Sequence, residues 1–282
     1  MRQATWLACG LALAGMMIAA PAAGQPAPNK PKPGKAGKAG KPKTVDISGH
    51  VAALAGTDVE AAARAAEALA AIDTPAAHDA LLDGLSLGLP APVAVPAMMA
   101  LGAHPAPPDV GVLKRYAGHH SPSVRSAALN VLALYPAPAA QAAVVAGLHD
   151  QLLAVRSAAA AAAGRARIRA SIEPLMQLLS RGEESAAKAL GQLATPEIAR
   201  AIADQLGKVP DPALALCLGT ALQRNDFGPD PARVEVVRTL AKIQDASAIT
   251  ALSEYIDATP QNPPRPSRQE AVTVVEARVG GK

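Results

Sequence analysis

Five residues, Val-Arg-Ser-Ala-Ala, stand at 124–128 and again at 155–159. A segment that recurs at a fixed step of 20–50 residues marks a chain built from stacked copies of one supersecondary unit, none of which can bury its apolar face alone. Slid along the chain, the unit reads as two helices, A and B, joined by a short turn. The late position of helix A is Leu69, Leu101, Leu132, Ala163, Leu190 and Leu240. Twelve residues on, the middle of helix B is Leu81, Leu113, Val144, Leu175, Ile202 and Leu252. Four further on come Leu85, Ala117, Leu148, Leu179, Leu206 and Ile256. An i, i+4 pair lies on one helix face, so helix B carries an apolar stripe that a neighbouring unit must cover.

The turns support this register. Thr74-Pro75, Ala106-Pro107, Ala137-Pro138 and Thr195-Pro196 each place proline at the start of helix B, where its missing N–H costs nothing. Ile168-Arg169 and Asp245-Ala246 take that place in the other two units. Thr57 with Glu60 predicts a capping box opening the first helix A, which runs to about Ile72. An extra helix is expected over about Asp211–Arg224, and Asp230-Pro231 then opens the last helix A. After a Pro-rich connector over 259–266, Ser267 and Glu270 predict a second capping box for a C-terminal capping helix within 267–282. Half of the residues are hydrophobic but only 2% aromatic. Alanine is prominent among the apolar residues, and it is the best helix former. The expected class is all-α.

Helix A with Val-Arg-Ser-Ala-Ala, a proline-marked turn and a short helix B resemble HEAT repeats, in particular the bacterial HEAT-like type first described in phycobilisome lyases. The resemblance covers about residues 50–258. It implies a right-handed α-solenoid of about six repeats within 47–258, and an arginine early in helix A that ladders with an acidic residue of a neighbouring repeat. Arg125, Arg156 and Arg233 occupy that position, while Ala62, Ala94 and Glu183 replace it and would break the ladder. Asp150 is the expected acidic partner. Such solenoids host many unrelated roles, so fold alone does not give function.

Residues 1–24 read as a secretory signal peptide. Arg2 precedes an uncharged apolar stretch from Trp6 to Ala20, and Ala22-Ala23-Gly24 suits cleavage near Gly24. The expected location is periplasmic or secreted; an uncleaved N-terminal anchor is the alternative. Residues 25–46 are a Lys/Pro/Gly/Ala linker on which no apolar face can be drawn, so disorder is expected there. It holds Lys30, Lys32, Lys35, Lys38, Lys41 and Lys43. With Arg2 and these six set aside, 20 basic residues face all 23 acidic ones, so the basic pI of about 9.2 belongs to the leader and linker. The lysines offer weak contact with an anionic envelope polymer or membrane surface. No aromatic interleaves them, and no nucleic acid is expected as a partner.

Chemistry is sparse. Without Cys9 of the leader, Cys217 is the remaining cysteine, which leaves no internal disulfide and no cysteine-based metal site. Histidines stand at 50, 78, 104, 119, 120 and 149, with no His-x-x-x-His pair among them. The repeated His-Glu pairs of HEAT-like di-iron hydroxylases are missing, as are a Gly-x-Ser-x-Gly turn and a phosphate-binding glycine loop. No catalytic residue, metal or cofactor is therefore expected, a metal-dependent or HEAT-like lyase or hydroxylase enzyme being the remaining alternative. What remains is a surface for a protein or peptide partner. The register assigns it to the exposed side of the B helices, with Asp79, Asp83, Arg115, Glu173, Gln177, Arg200, Asp204 and Glu254 as the partner-binding residues.

Overall fold

A computed structural model describes residues 45–280. The expected leader, and all but the last two residues of the expected linker, lie outside that range. Fifteen α-helices are present among the described residues: α1 (Ser48–Leu54), α2 (Val59–Ile72), α3 (Pro75–Leu87), α4 (Ala91–Ala103), α5 (Asp109–Ala117), α6 (Pro122–Leu132), α7 (Pro138–Gly147), α8 (Leu153–Arg165), α9 (Ile172–Ser180), α10 (Glu184–Leu193), α11 (Pro196–Ala203), α12 (Asp211–Gln223), α13 (Asp230–Lys242), α14 (Ala246–Ala258) and α15 (Pro266–Val279). A single 3-10 turn, Arg169–Ser171, leads into α9.

The helices stack in two layers. Each even-numbered helix from α2 to α14 lies against the next even-numbered one and forms the A layer. The odd-numbered helices α3 to α15 form the B layer, and α1 covers the open side of α2. Antiparallel pairs repeated at about 31 residues and stacked in two layers make an all-α solenoid of the HEAT-like kind.

The A layer is close because its helices meet at small residues. The position after Leu69, Leu101, Leu132, Ala163 and Leu190 is Ala70, Gly102, Ala133, Gly164 and Gly191. A Cβ added at Gly191 would stand 2.6 Å from the Cys217 carbonyl oxygen of α12, and one at Gly164 would stand 3.0 Å from Cα of Ala189 on α10. Gly219 of α12 makes the same approach to Ala251 of α14, at 2.8 Å.

That contact corrects the register of the last units. α12 is not an extra helix. It continues the A layer, so α13 is a B helix, α14 an A helix and α15 the final B helix. The described residues thus hold seven helix pairs. Burial could not reveal the exchange, because helices of both layers bury the side that faces the other layer. Leu240 and Leu252 are as buried as Leu190 and Ile202. The Leu-Gly dipeptides at 101–102, 190–191 and 218–219 are the signal that marks α12 as an A helix.

Several helix starts also differ from expectation. Asp58, not Thr57, caps α2, its carboxylate accepting the N–H groups of Glu60 and Ala61 at 3.0 and 3.1 Å. Asp58 has extended backbone and an oxygen one residue nearer the first turn. α5 opens at Asp109 rather than after Ala106, because the Asp109 carboxylate turns back to accept the Ala106 N–H at 2.8 Å. Ser267 lies inside α15 and bonds to Asp230 of α13, while Glu270 pairs with Arg238, so neither caps the helix. At Thr74 and Thr195 the hydroxyls do cap α3 and α11, accepting from Ala77 and Ile198.

Candidate partner-binding face

Seven of the eight expected partner-binding residues lie exposed on the B side: Asp79 and Asp83 on α3, Arg115 on α5, Glu173 and Gln177 on α9, Arg200 on α11 and Asp204 at its C-terminal cap. Glu254 does not join them. It sits on α14 in the A layer, where its carboxylate accepts from Gln223 Nε2 of α12 at 2.8 Å. The reason is the exchanged register. The B-layer neighbour of α11 is α13, and Arg200 reaches across to Glu235 there at 2.8 Å. Arg115 is also engaged, donating to the Ser86 carbonyl of α3. A cleft of about 370 Å³ between α11 and α13 includes Arg200 and Asp204.

The A helices present the larger opening. On α8, Leu153, Ser157, Ala161 and Arg165 follow one another at i, i+4 spacing along the exposed side, and they line a cleft of about 670 Å³ with α10. Glu184, Lys188 and Gln192 of α10 line it too, and the same three residues line a second cleft of about 510 Å³. That second cleft continues over Leu216, Thr220 and Gln223 of α12 to Ser247, Thr250 and Glu254 of α14. One groove therefore crosses four A helices. Its floor is shallow because Gly219 and Ala251 hold α12 and α14 together without side-chain bulk. In the helix contacts beneath it, Gln192 Oε1, which faces Gly164 of α8, and Ser247 Oγ have no hydrogen-bond partner among the described residues. Glu254 apart, sequence reasoning passed over these residues because none is unusual by itself; only the stacking brings them into line.

The arginines lock the repeats at the edge of the stack. Arg125 donates to both oxygens of Asp150 at 2.8 and 2.9 Å, and to the carbonyls of His119 and His120. Its guanidinium holds the Asp150 carboxyl below the usual carboxylate range. Arg156 repeats the arrangement with Glu183 at 2.7 Å and with the carbonyls of Asp150 and Gln151. Glu183 is thus the acidic partner of the preceding repeat, not a gap in the ladder. Among the described residues, Arg233 meets no acidic side chain within salt-bridge distance. It is buried on α13 and donates to the carbonyls of Leu222, Arg224 and Asn225, with its guanidinium 5.7 Å from the Phe227 ring centre. Belonging to a B helix, it faces the end of α12 instead of the ladder.

Two further groups are fully buried. Cys217, on α12 beneath the groove, has its thiol pushed up to about 12 by burial, which keeps it protonated and unreactive. Asp109 accepts from Tyr135 Oη at 2.7 Å and lies 3.0 Å from His78 Nε2, so one carboxylate joins three consecutive repeats. Burial, with Asp109 beside it, pushes the Tyr135 phenol well above its ordinary value. Among the described residues, no group of three or more His, Cys, Asp or Glu side chains is placed to hold a metal ion.

No protein-family model matches the chain, and no curated protein matches it. Solved structures do. The complex of CpcE and CpcF of phycocyanin lyase from Nostoc sp. PCC7120 is similar at 19% identity, over 88% of this chain and 99% of that one, with a TM-score of 0.46. Kap121p is similar at 14% identity, over 80% of this chain and 28% of that one, with a TM-score of 0.44. Human deoxyhypusine hydroxylase is similar at 16% identity, over 83% and 96% of the two chains, with a TM-score of 0.38.

Proposed function

We propose that this chain is an exported, non-catalytic scaffold that binds a protein partner on its repeat surface, and that the partner lies on the A-helix face. The groove across α8, α10, α12 and α14 carries this reading. It is continuous over four repeats. The B-face cleft between α11 and α13 is smaller, about 370 Å³. Export rests on the leader pattern of residues 1–24.

Site-specific photo-crosslinking in cells tests the assignment, with the crosslinker at Thr220 on the A face or at Asp83 on the B face. Adducts to one protein from position 220 and none from position 83 are expected. Adducts from position 83 alone would move the site to the B helices. No adduct from either position would sink the scaffold reading.

The lysines of the 25–43 stretch favour a second role, tethering to an anionic surface. Such attraction is screened within a Debye length of about 8–10 Å. Binding to anionic vesicles that survives 0.5 M salt would exclude the lysines as its cause.

A further inference from the structure

We infer that the cavity at the helix A–helix B turns of the first two repeats binds a small organic amine in its ammonium form. The cavity measures about 390 Å³, within the range of small-molecule sites. It lies between the end of α2, the start of α3 and the end of α4, away from the A-face groove, so the inference does not depend on the reading above. Leu69, Ala77 and Leu81, all buried, line it together with Ala70 and Ala100. Where the next repeats carry Val110, Gln141, Ile172 and Ala199, the first carries His78, so packing alone does not call for an imidazole there. His78 Nε2 donates to one oxygen of the fully buried Asp109 carboxylate at 3.0 Å. The other oxygen accepts from Tyr135 Oη at 2.7 Å and from the Ala106 N–H at 2.8 Å, which fixes the carboxylate and hence the ring. Donation at Nε2 leaves Nδ1 as an acceptor. Nδ1 has no hydrogen-bond partner among the described residues and is not sealed from solvent, so it opens onto the cavity that His78 lines.

Charge chooses the ligand. Asp73 and Asp79 line the cavity, and Asp109 stands behind His78. Two imidazoles, His78 and His104, face these three carboxylates, and no lysine or arginine lines the cavity. The net charge is therefore negative in every protonation state of the histidines. Arg64 is the only lysine or arginine from Val45 to Leu113, so the surrounding field has the same sign. A cleft lined by one sign of charge concentrates the opposite ion. His104 Nε2 lies 2.9 Å from Asp73, which leaves the exposed Asp79 carboxylate to pair with an incoming cation. An anionic ligand is repelled. A bare metal ion is not matched either, since no three His, Cys, Asp or Glu among the described residues are placed to hold one. An ammonium on a hydrocarbon body meets both demands: its N–H groups reach His78 Nδ1 and Asp79, and its carbons cover the leucines and alanines.

The test titrates n-pentylamine, benzylamine and phenethylamine into the full chain at neutral pH and low salt, read by backbone amide chemical shifts. At least one amine is expected to give saturable shifts confined to the segments around 74–81 and 100–106. The alcohol of the same skeleton should bind about tenfold more weakly, because it lacks the charge. Asp79→Asn and His78→Gln should each weaken the amine about threefold or more. Glutamine keeps the donor to Asp109 and removes the ring acceptor; if circular dichroism shows that this variant has lost its fold, Asp79→Asn decides. Glu173→Gln, which removes an exposed B-helix carboxylate on α9, should change nothing. The site is lost if no amine gives saturable local shifts, or if the alcohols bind as well. It is lost too if Glu173→Gln weakens binding as much as Asp79→Asn, the mark of loose attraction to an acidic surface. An acetylated, amidated lysine that binds more tightly than every free amine would also overturn it, by assigning the cavity to a protein side chain.

Discussion

A methyl group added at Gly191, where α10 meets α12, would stand 2.6 Å from a backbone oxygen, whereas one added at Gly111 on α5 would find nothing within 4 Å. The two positions summarise two ways of joining repeats. In the A layer, backbones approach until only glycine or alanine fits, and the attraction is dispersion between dense, dry surfaces. In the B layer, neighbours such as α11 and α13 are bridged by the side chains of Arg200 and Glu235, both more than half exposed. The A layer sets the spacing of the stack, while the B layer tolerates adjustment.

The contrast can be broken or sharpened by substitution. Leu132→Asp places a charge in the fully buried A-layer core and should cost more than about 4 kcal/mol, unfolding more than one repeat; a single melt with full helicity would contradict the layer. Arg156→Ala strands the nearly buried Glu183 carboxylate, and a loss of about 2–3 kcal/mol in urea denaturation is expected. Gly191→Ala should destabilise by about 1–3 kcal/mol, although alanine is the better helix former. Gly111→Ala, in contrast, should stabilise by about 0.5–1 kcal/mol. Opposite signs in thermal melts are the direct reading of the two layers; equal signs would dissolve the distinction. Arg200→Ala should change stability by less than about 0.5 kcal/mol, because the pair with Glu235 is exposed.

Acid titration isolates the edge ladder. The Asp150 carboxyl is depressed in the folded state by Arg125, so its stabilisation is complete above the ordinary carboxylate value of about 3.9. It is lost as pH falls through the lower folded value. Urea midpoints of the wild type and of Asp150→Asn should therefore differ at neutral pH and converge in acid below about pH 4.

Much of the fold was legible because periodicity survives even in an Ala-rich chain. The Val-Arg-Ser-Ala-Ala step and the Thr-Pro starts at 74 and 195 placed helices α2 to α11 in their layers. The last four helices were misassigned for a physical reason. An apolar stripe shows that a helix is covered, not which layer covers it, and α13 followed by α14 has the stripes of an A–B pair. A glycine inside the helix after the late leucine, as at Leu218-Gly219, marks α12 as an A helix, whereas the alanine after Leu240 leaves α13 undecided. Asp150 could be read as a partner of an arginine because it precedes a second Val-Arg-Ser repeat. Glu183 could not, because its place in the alignment was that of an arginine, and the pairing runs between successive repeats. The groove was hidden altogether: Gln192, Thr220 and Ser247 come together through stacking, which no single repeat encodes.

Asp109 also bears on how long such a chain can be. Repeat arrays are often treated as extensible rods, to be lengthened or shortened by whole units. Here His78, Asp109 and Tyr135 come from three successive units and share one buried carboxylate. Excising the middle unit would remove that carboxylate and leave His78 and Tyr135 without it, and duplicating the unit would give each copy only one of its two partners. Through that single side chain, the array counts its own members, and its length near the amino-terminal end is part of its structure.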